Sequence, residues 1–443
     1  MYDWANSVYP LVITSTIFPI YFNAVAKDAA VAQEAGTGRP IVEFFGMQVL
    51  GSSLLLYAIS VGFLIVAAIS PLLTALADFS GRKKRFMQVF CYLGALSCCG
   101  LFFFNKNTLD ISVILFVLAT VGFAGSIVFY NSYLPDIATE DKFDSLSARG
   151  FSMGYVGSVI LLVLSLGLVL GGEKIGVSAG LASRLSFLFT GLWWGGFALL
   201  PFARLPADPG RPADAATTDS GWLLNGFREL GKVWNSLKNL PLLKQFLLAY
   251  FFYNMGVQTV MYVSTPFAEE TLGLKSDELI TTILILQVVA IAGAYLFAKL
   301  SERIGNTRAL SVAVIIWAGI CVAGYYVQAG VSFYALASVI GFTMGGVQSL
   351  SRSTYSKLIP ENTPDTASYF SFFDVTEKLS IVLGTASFSL ISQLTGTMRN
   401  SILALIVFFI LGLLFLLTLR GKRLREPGTG LSVVEDVEYE DVS

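Results

Sequence analysis

Leu76-Ala-Asp-Phe-Ser-Gly-Arg-Lys-Lys84 recurs in outline as Leu300-Ser-Glu-Arg-Ile-Gly-Asn-Thr-Arg308, with an acid, a glycine three positions on, and then basic residues, 224 positions apart. A second landmark repeats at almost the same offset. Tyr133-Leu-Pro-Asp136 is matched by Leu358-Ile-Pro-Glu361, with the two prolines 225 positions apart. Agreement of two landmarks on one offset predicts a duplicated chain whose halves share one orientation.

The surroundings of these landmarks decide what is duplicated. Hydrophobic residues make up 55% of the 443-residue chain and charged ones 13%, about half the charged share of a soluble protein. The excess must face lipid. An apolar helix needs about 20 residues to cross a membrane, and twelve such stretches stand between charge or turn clusters. Their limits are near 4–24, 49–76, 87–104, 109–133, 151–171, 185–202, 246–265, 279–298, 309–327, 331–350, 367–394 and 400–419. Runs such as Leu161 to Leu170 lack the polar and apolar alternation of a membrane β-strand. The first stretch has neither a basic leader nor a small-residue cleavage site and is expected to remain as an anchor. The expected fold is an all-α membrane protein with 12 transmembrane helices in two parallel six-helix halves. Residues 1–203 and 246–420 form the halves, 204–245 the link and 421–443 a disordered acidic tail.

Basic residues mark the cytoplasmic side of membrane helices. With the N-terminus inside, 21 of the 29 lysines and arginines fall in inner connections and 7 in outer ones. The expectation is a multi-pass protein of the cell (inner) membrane with both termini cytoplasmic. In the link, Trp222, Leu223, Phe227, Leu230, Trp234 and Leu237 recur at helical spacing among Arg228, Lys232 and Lys238, the pattern of an amphipathic helix at headgroup level.

Several function classes drop out. The net charge of -1 gives no footprint for nucleic acid. Histidine is absent, which removes Ser-His and Cys-His nucleophiles and imidazole metal ligands. Cys91, Cys98, Cys99 and Cys321 lie in apolar stretches and read as packing residues. No enzyme activity, cofactor or metal is expected.

Twelve spans in two parallel halves, with an Asp-x-x-Gly-Arg-Lys turn after the second, resemble the major facilitator superfamily. Within it, Tyr2-Asp-Trp-Ala-Asn-Ser7 is similar to the opening of the unknown major facilitator family, whose best-known relatives are vacuolar amino-acid effluxers linked to autophagy. Phe129-Tyr-Asn-Ser-Tyr-Leu-Pro-Asp136, Ser147-Ala-Arg-Gly150 and Gly345-Gly-Val-Gln-Ser-Leu-Ser-Arg352 extend the resemblance over nearly the whole chain. It implies the facilitator fold, transport of a small solute and, from the fungal members, neutral amino-acid export. The superfamily turn usually has glycine four residues before its acid and a base just after it, where this chain has Thr74 and Phe79.

Ionisable groups at lipid depth are costly and face a partner or a wet cavity. Asp374, Glu377 and Lys378 in the eleventh span allow three readings: a site for a cation or coupling proton, a self-neutralised pair of Asp374 with Lys378, or latch charges meeting Arg82 or Arg149. Asp78, Gly81 and Arg82 read as a gate element, the acid pairing with bases or with a helix N-terminus of the other half. Glu302 and Arg303 mirror it in the second half. For solute contacts the candidates are Asn6 and Tyr9 in the first span, Tyr130 and Asn131 in the fourth, Asn254 and Gln258 in the seventh and Gln287 in the eighth; each can equally be a helix-to-helix hydrogen bond. Tyr250 to Asn254 loosely repeats Tyr2 to Asn6. Asp3 reads as an N-cap or interfacial charge. Gly191, Gly195, Gly341 and Gly345 are expected to permit close helix packing.

The expected function is secondary transport by alternating access, with an amino acid or similar metabolite exported and protons as the coupling ion. A sugar, peptide or drug permease, or a receptor without flux, are the alternatives. The expected partners are the solute, protons and the bilayer, with the chain a monomer.

Overall fold

The computed structural model describes residues 1–33, 40–208, 222–328, 330–361 and 363–420. Among them, 11 helices are long and apolar enough to cross a membrane. Spans one to six are Tyr2–Asp28, Gly51–Ser80, Lys83–Gly100, Leu109–Ser132, Phe143–Gly171 and Ala179–Arg204. Spans seven to ten are Pro241–Glu270, Ser276–Ile304, Asn306–Tyr326 and Val331–Leu358. The eleventh, Thr366–Thr395, is 30 residues long but carries Asp374, Glu377 and Lys378, and the twelfth is Met398–Arg420. The all-α fold of twelve helices expected from the sequence is what the chain adopts.

Two aromatic-rich cores form, mainly one per half. In the first, Phe18 stacks on Phe116 with ring centroids 4.5 Å apart; in the second, Trp317 stacks on Phe409 at 5.9 Å. The halves meet along two seams, where the fifth span packs on the eighth and tenth and the eleventh on the second and fourth. A Cβ on Gly341 or Gly345 would strike the carbonyls of Leu286 and Ala290 in the eighth span, and one on Gly191 would strike that of Ala95. Gly195 has only ordinary contacts.

The duplicated turn has a local cause. Gly81 ends the second span at φ 60° and Gly305 separates the eighth from the ninth at φ 84°, conformations that side chains with a Cβ resist. Both glycines of the repeat therefore stop a helix at the same end of the molecule. We call this the basic end, after the lysines and arginines around it.

Three features depart from the expectations. The first span is wound in a wide π form over Tyr9–Ile17. Pro10 lacks the N–H that a regular helix needs there, which loosens the backbone beside Asn6. Second, the connection after the first span is a three-stranded antiparallel sheet of Ala30–Gln33, Pro40–Phe44 and Met47–Leu50. Its last turn holds Phe45 and Gly46 at φ 47° and 80°, as a two-residue hairpin of the mirrored type requires. Third, several helices outrun their apolar stretches at the basic end. The fifth begins at Phe143 and the tenth continues to Leu358.

The link contains a helix, Trp222–Lys238, lying against the second span. Val233 and Leu237 are buried and the Trp234 ring lies 5.7 Å from Phe372 of the eleventh span. Residues 209–221 of the link and the acidic tail expected at 421–443 lie outside the described residues.

Candidate functional site between the halves

A cavity of about 1780 Å³, counting its open mouth, lies between the two halves. All seven residues expected to contact solute line it: Asn6, Tyr9, Tyr130, Asn131, Asn254, Gln258 and Gln287. They differ in how far their polar atoms are engaged. Tyr9 shares a 2.8 Å hydrogen bond with Thr120, and Asn254 donates to Ser380 Oγ at 2.7 Å. These two make the helix-to-helix bonds of the alternative reading. Asn6 Nδ2 and Gln287 Oε1, by contrast, are buried without a protein partner. Toward the end opposite the basic one, the lining includes the exposed Ser15 and Tyr262. The cavity therefore opens at that end.

At its floor lies an ion pair that joins the halves. Arg352 of the tenth span reaches Asp3 of the first at 3.5 Å, both side chains nearly fully buried. Its other donors are spent on the same half as Asp3: Nε on Ser147 Oγ at 2.9 Å, Nη2 on Ser147 O at 3.0 Å and Nη1 on Asn131 Oδ1 at 3.3 Å. Tyr130 donates its hydroxyl to Asp3, and the guanidinium lies over the Phe151 ring at 4.4 Å. A Cβ at Gly150 would collide with Asp3 Oδ2 and Arg352 Nη2, so the bare glycine makes room for the pair. Removing one partner of such a pair costs about 3–5 kcal/mol, because the other charge stays buried. Asp3 is thus a cross-half partner and not the N-cap or interfacial charge expected of it.

Beyond the floor, two carboxylates tie the halves at the basic end. Asp78 accepts the Ser368 N–H and hydroxyl, each at 2.7 Å, and the Ala367 N–H at 3.3 Å. It thereby meets the unpaired donors at the N-terminus of the eleventh span, where negative charge is favoured. Nearby, Lys83 donates to Asp136 and, at 2.8 Å, to Thr366 Oγ1 of the second half. The second tie is Asp144, at the start of the fifth span. It accepts from Ser301 Oγ at 2.9 Å, Asn306 Nδ2 at 2.7 Å and Lys357 Nζ at 2.8 Å.

The remaining expected gate residues lie elsewhere. Arg82, Arg149, Glu302 and Arg303 are exposed and form no ion pair among the described residues. Asp374, Glu377 and Lys378 do not meet Arg82 or Arg149, because they stand two to three turns inside the eleventh span. Lys378 donates to Asp374 Oδ1 at 2.8 Å, the self-neutralised arrangement, and Glu377 accepts from Gln258 at 3.2 Å. Residues that the sequence reading did not assign to the site are Asp3, Asp144, Ser147, Asn306, Arg352 and Lys357. Two signals pointed to four of them: Asp3, Ser147 and Arg352 fall within the stretches of family resemblance, and Asp144 stands 224 positions before Ser368.

The comparisons with known proteins agree with this architecture. A family profile described as "Vacuole effluxer Atg22 like" matches residues 1–427. The uncharacterized MFS-type transporter YxiO of Bacillus subtilis (strain 168) is 31% identical over 418 residues, covering 94% of this chain and 92% of its own. Autophagy-related protein 22 of Kluyveromyces lactis is 30% identical over 364 residues, covering 75% and 71%. Among solved structures, the major facilitator transporter FucP in its outward conformation superposes with a TM-score of 0.66 at 14% identity, covering 94% of this chain and 97% of FucP. The proton:xylose symporter XylE gives 0.68 at 13% identity, covering 94% and 93%. The chain is an integral multi-pass membrane protein and belongs to the Atg22-like family of major facilitator superfamily transporters.

Proposed function

We propose that the chain carries a small solute across the membrane by alternating access, with residues 1–203 and 246–420 as the two rocking halves. The observation that carries this reading is the cavity itself. Polar groups from both halves line it, it is closed at one end by hydrogen bonds and ion pairs that cross the seam, and it is open at the other. Such bonds have to break when the closed end opens, so their energy biases the two states. The positive-inside bias makes the basic end cytoplasmic. The structure then corresponds to the state facing away from the cytoplasm, in a cell (inner) membrane with both termini inside.

A neutral amino acid is the cargo we favour. The support is kinship with a family described as vacuole effluxers and a cavity offering amides, phenols and charges of both signs. Export is the favoured direction, with a monomer as the working unit. Asp374 and Glu377 are the groups proposed to carry coupling to protons. The test is counterflow of labelled amino acids in proteoliposomes, followed by gradient-driven uptake with Asp374→Asn and Glu377→Gln combined. Loss of the response to a pH gradient in the double substitution, with saturable counterflow still measurable at raised solute concentration, supports both parts. Undiminished gradient-driven uptake removes the coupling role, and absence of counterflow for every amino acid removes the cargo assignment.

A further inference from the structure

The three charged side chains of the eleventh span are not equivalent. Lys378 bonds Asp374 Oδ1 at 2.8 Å but stands 3.6 Å from Glu377 Oε2. The Asp374 and Lys378 side chains are 5% and 9% exposed, whereas that of Glu377 is 27% exposed and faces the cavity. One ammonium thus serves two carboxylates, Asp374 more closely, and the surplus negative charge of the trio meets the cavity at Glu377. Among the described residues, its Oε1 accepts from Gln258 alone, at 3.2 Å. A carboxylate that faces a cavity with only a shared counter-charge favours a further cation beside it. Rings line the same cavity: Phe63, Tyr250, Tyr262 and Phe373. Aromatic faces attract a cation and repel an anion.

A second observation concerns the far side of the cavity. Asn6 is 2% exposed, lines the cavity and has an Nδ2 with no partner. It sits beside the loosened backbone at Pro10. A residue with surplus charge on the eleventh span and one with a buried, unpartnered donor on the first thus line the same cavity.

We propose that Glu377 is the receptor for a protonated amine on the transported solute, with Gln258 positioning its carboxylate and Asn6 donating to an oxygen at the solute's other end. This rests on the transport reading above and narrows it to amine-bearing solutes. The coupling proton proposed above would occupy the same oxygens, so amine and proton would take the carboxylate in turn.

The experiment uses the purified full chain and a panel of amino acids, their amides and the corresponding deaminated carboxylic acids, read by thermal shift and by counterflow. A ligand of the folded form raises the melting temperature. The expected result is stabilisation of the wild type by amine-bearing solutes and not by their deaminated counterparts. Glu377→Gln should weaken the apparent affinity at least tenfold, and Glu377→Asp, which keeps the charge, should restore part of it. If Glu377→Gln fails to fold, an unchanged affinity in Glu377→Asp together with equal binding of deaminated acids by the wild type overturns the proposal. So does a Glu377→Gln protein that loses its pH-gradient response yet still prefers amines. Counterflow without amine preference defeats this proposal and leaves transport standing, whereas absence of both binding and flux defeats both.

Discussion

The ties at Asp78 and Asp144 do the same job from opposite sides of the duplication. Asp78 ends a span of the first half and reaches the N-terminus of the eleventh span. Asp144 opens the fifth span and reaches the end of the eighth, the start of the ninth and the last turn of the tenth. The offset of 224 positions pairs Asp144 with Ser368 and Asp78 with Glu302. In one seam the acid belongs to the turn and the helix start supplies donors; in the other the helix start supplies the acid. Glu302 occupies the mirror position of Asp78 but is exposed. What the duplication preserves here is a polar bond across each seam, while the residue type on each side is interchangeable.

The partners differ in kind, and so do the expected costs of breaking them. Asp78 is held by neutral donors and a helix terminus, and Asp144 by an ammonium buried with it. Asp144→Asn should have the largest effect. It strands Lys357, whose side chain is 15% exposed, and a buried charge without its partner costs about 3–5 kcal/mol. Thermal denaturation should show a marked fall in melting temperature, largely restored by adding Lys357→Met. Failure of that second change to restore stability would mean that charge burial is not the cause. Asp78→Asn should come next, losing about 1–3 kcal/mol of charged hydrogen bonding to the helix start. Its readout is increased labelling of engineered cysteines at the basic end and decreased labelling at the opposite mouth. Equal labelling in variant and wild type would deny Asp78 a gate role. Glu302→Gln should be nearly silent, within about 0.5 kcal/mol, and a shift as large as that of Asp78→Asn would restore the simple mirror expected from sequence.

Much of this fold was legible because lipid imposes a coarse rule. About 20 apolar residues make a span, and even the charged eleventh is visible as such. The same rule left Asp78 in view but hid the tie at Asp144. Apolar runs stop where side chains become polar, so the fifth span was expected from 151 and the tenth to 350. The extra turns that carry Asp144, Ser147, Arg352 and Lys357 read as connections. Those turns stay helical because their polar groups find partners across the seam. The Asp3 and Arg352 pair was beyond reach for another reason. The two are 349 positions apart, and no periodicity within one helix reports a contact between two. Solute contacts fared better, since an amide or phenol inside an apolar span has few places to face. All seven line the cavity, although Tyr9 and Asn254 spend their polar atoms on neighbouring helices.

Alternating access requires the closed basic end and the open opposite end to exchange. Spin labels on Arg82 and Arg303, both exposed and one in each half, would report the width of the basic end in lipid. The expected result is one short, narrow distance distribution in the wild type and a second, longer population in Asp78→Asn and Asp144→Asn, growing further with transported solute. A single distance, unchanged by either substitution and by every solute that binds, would contradict it.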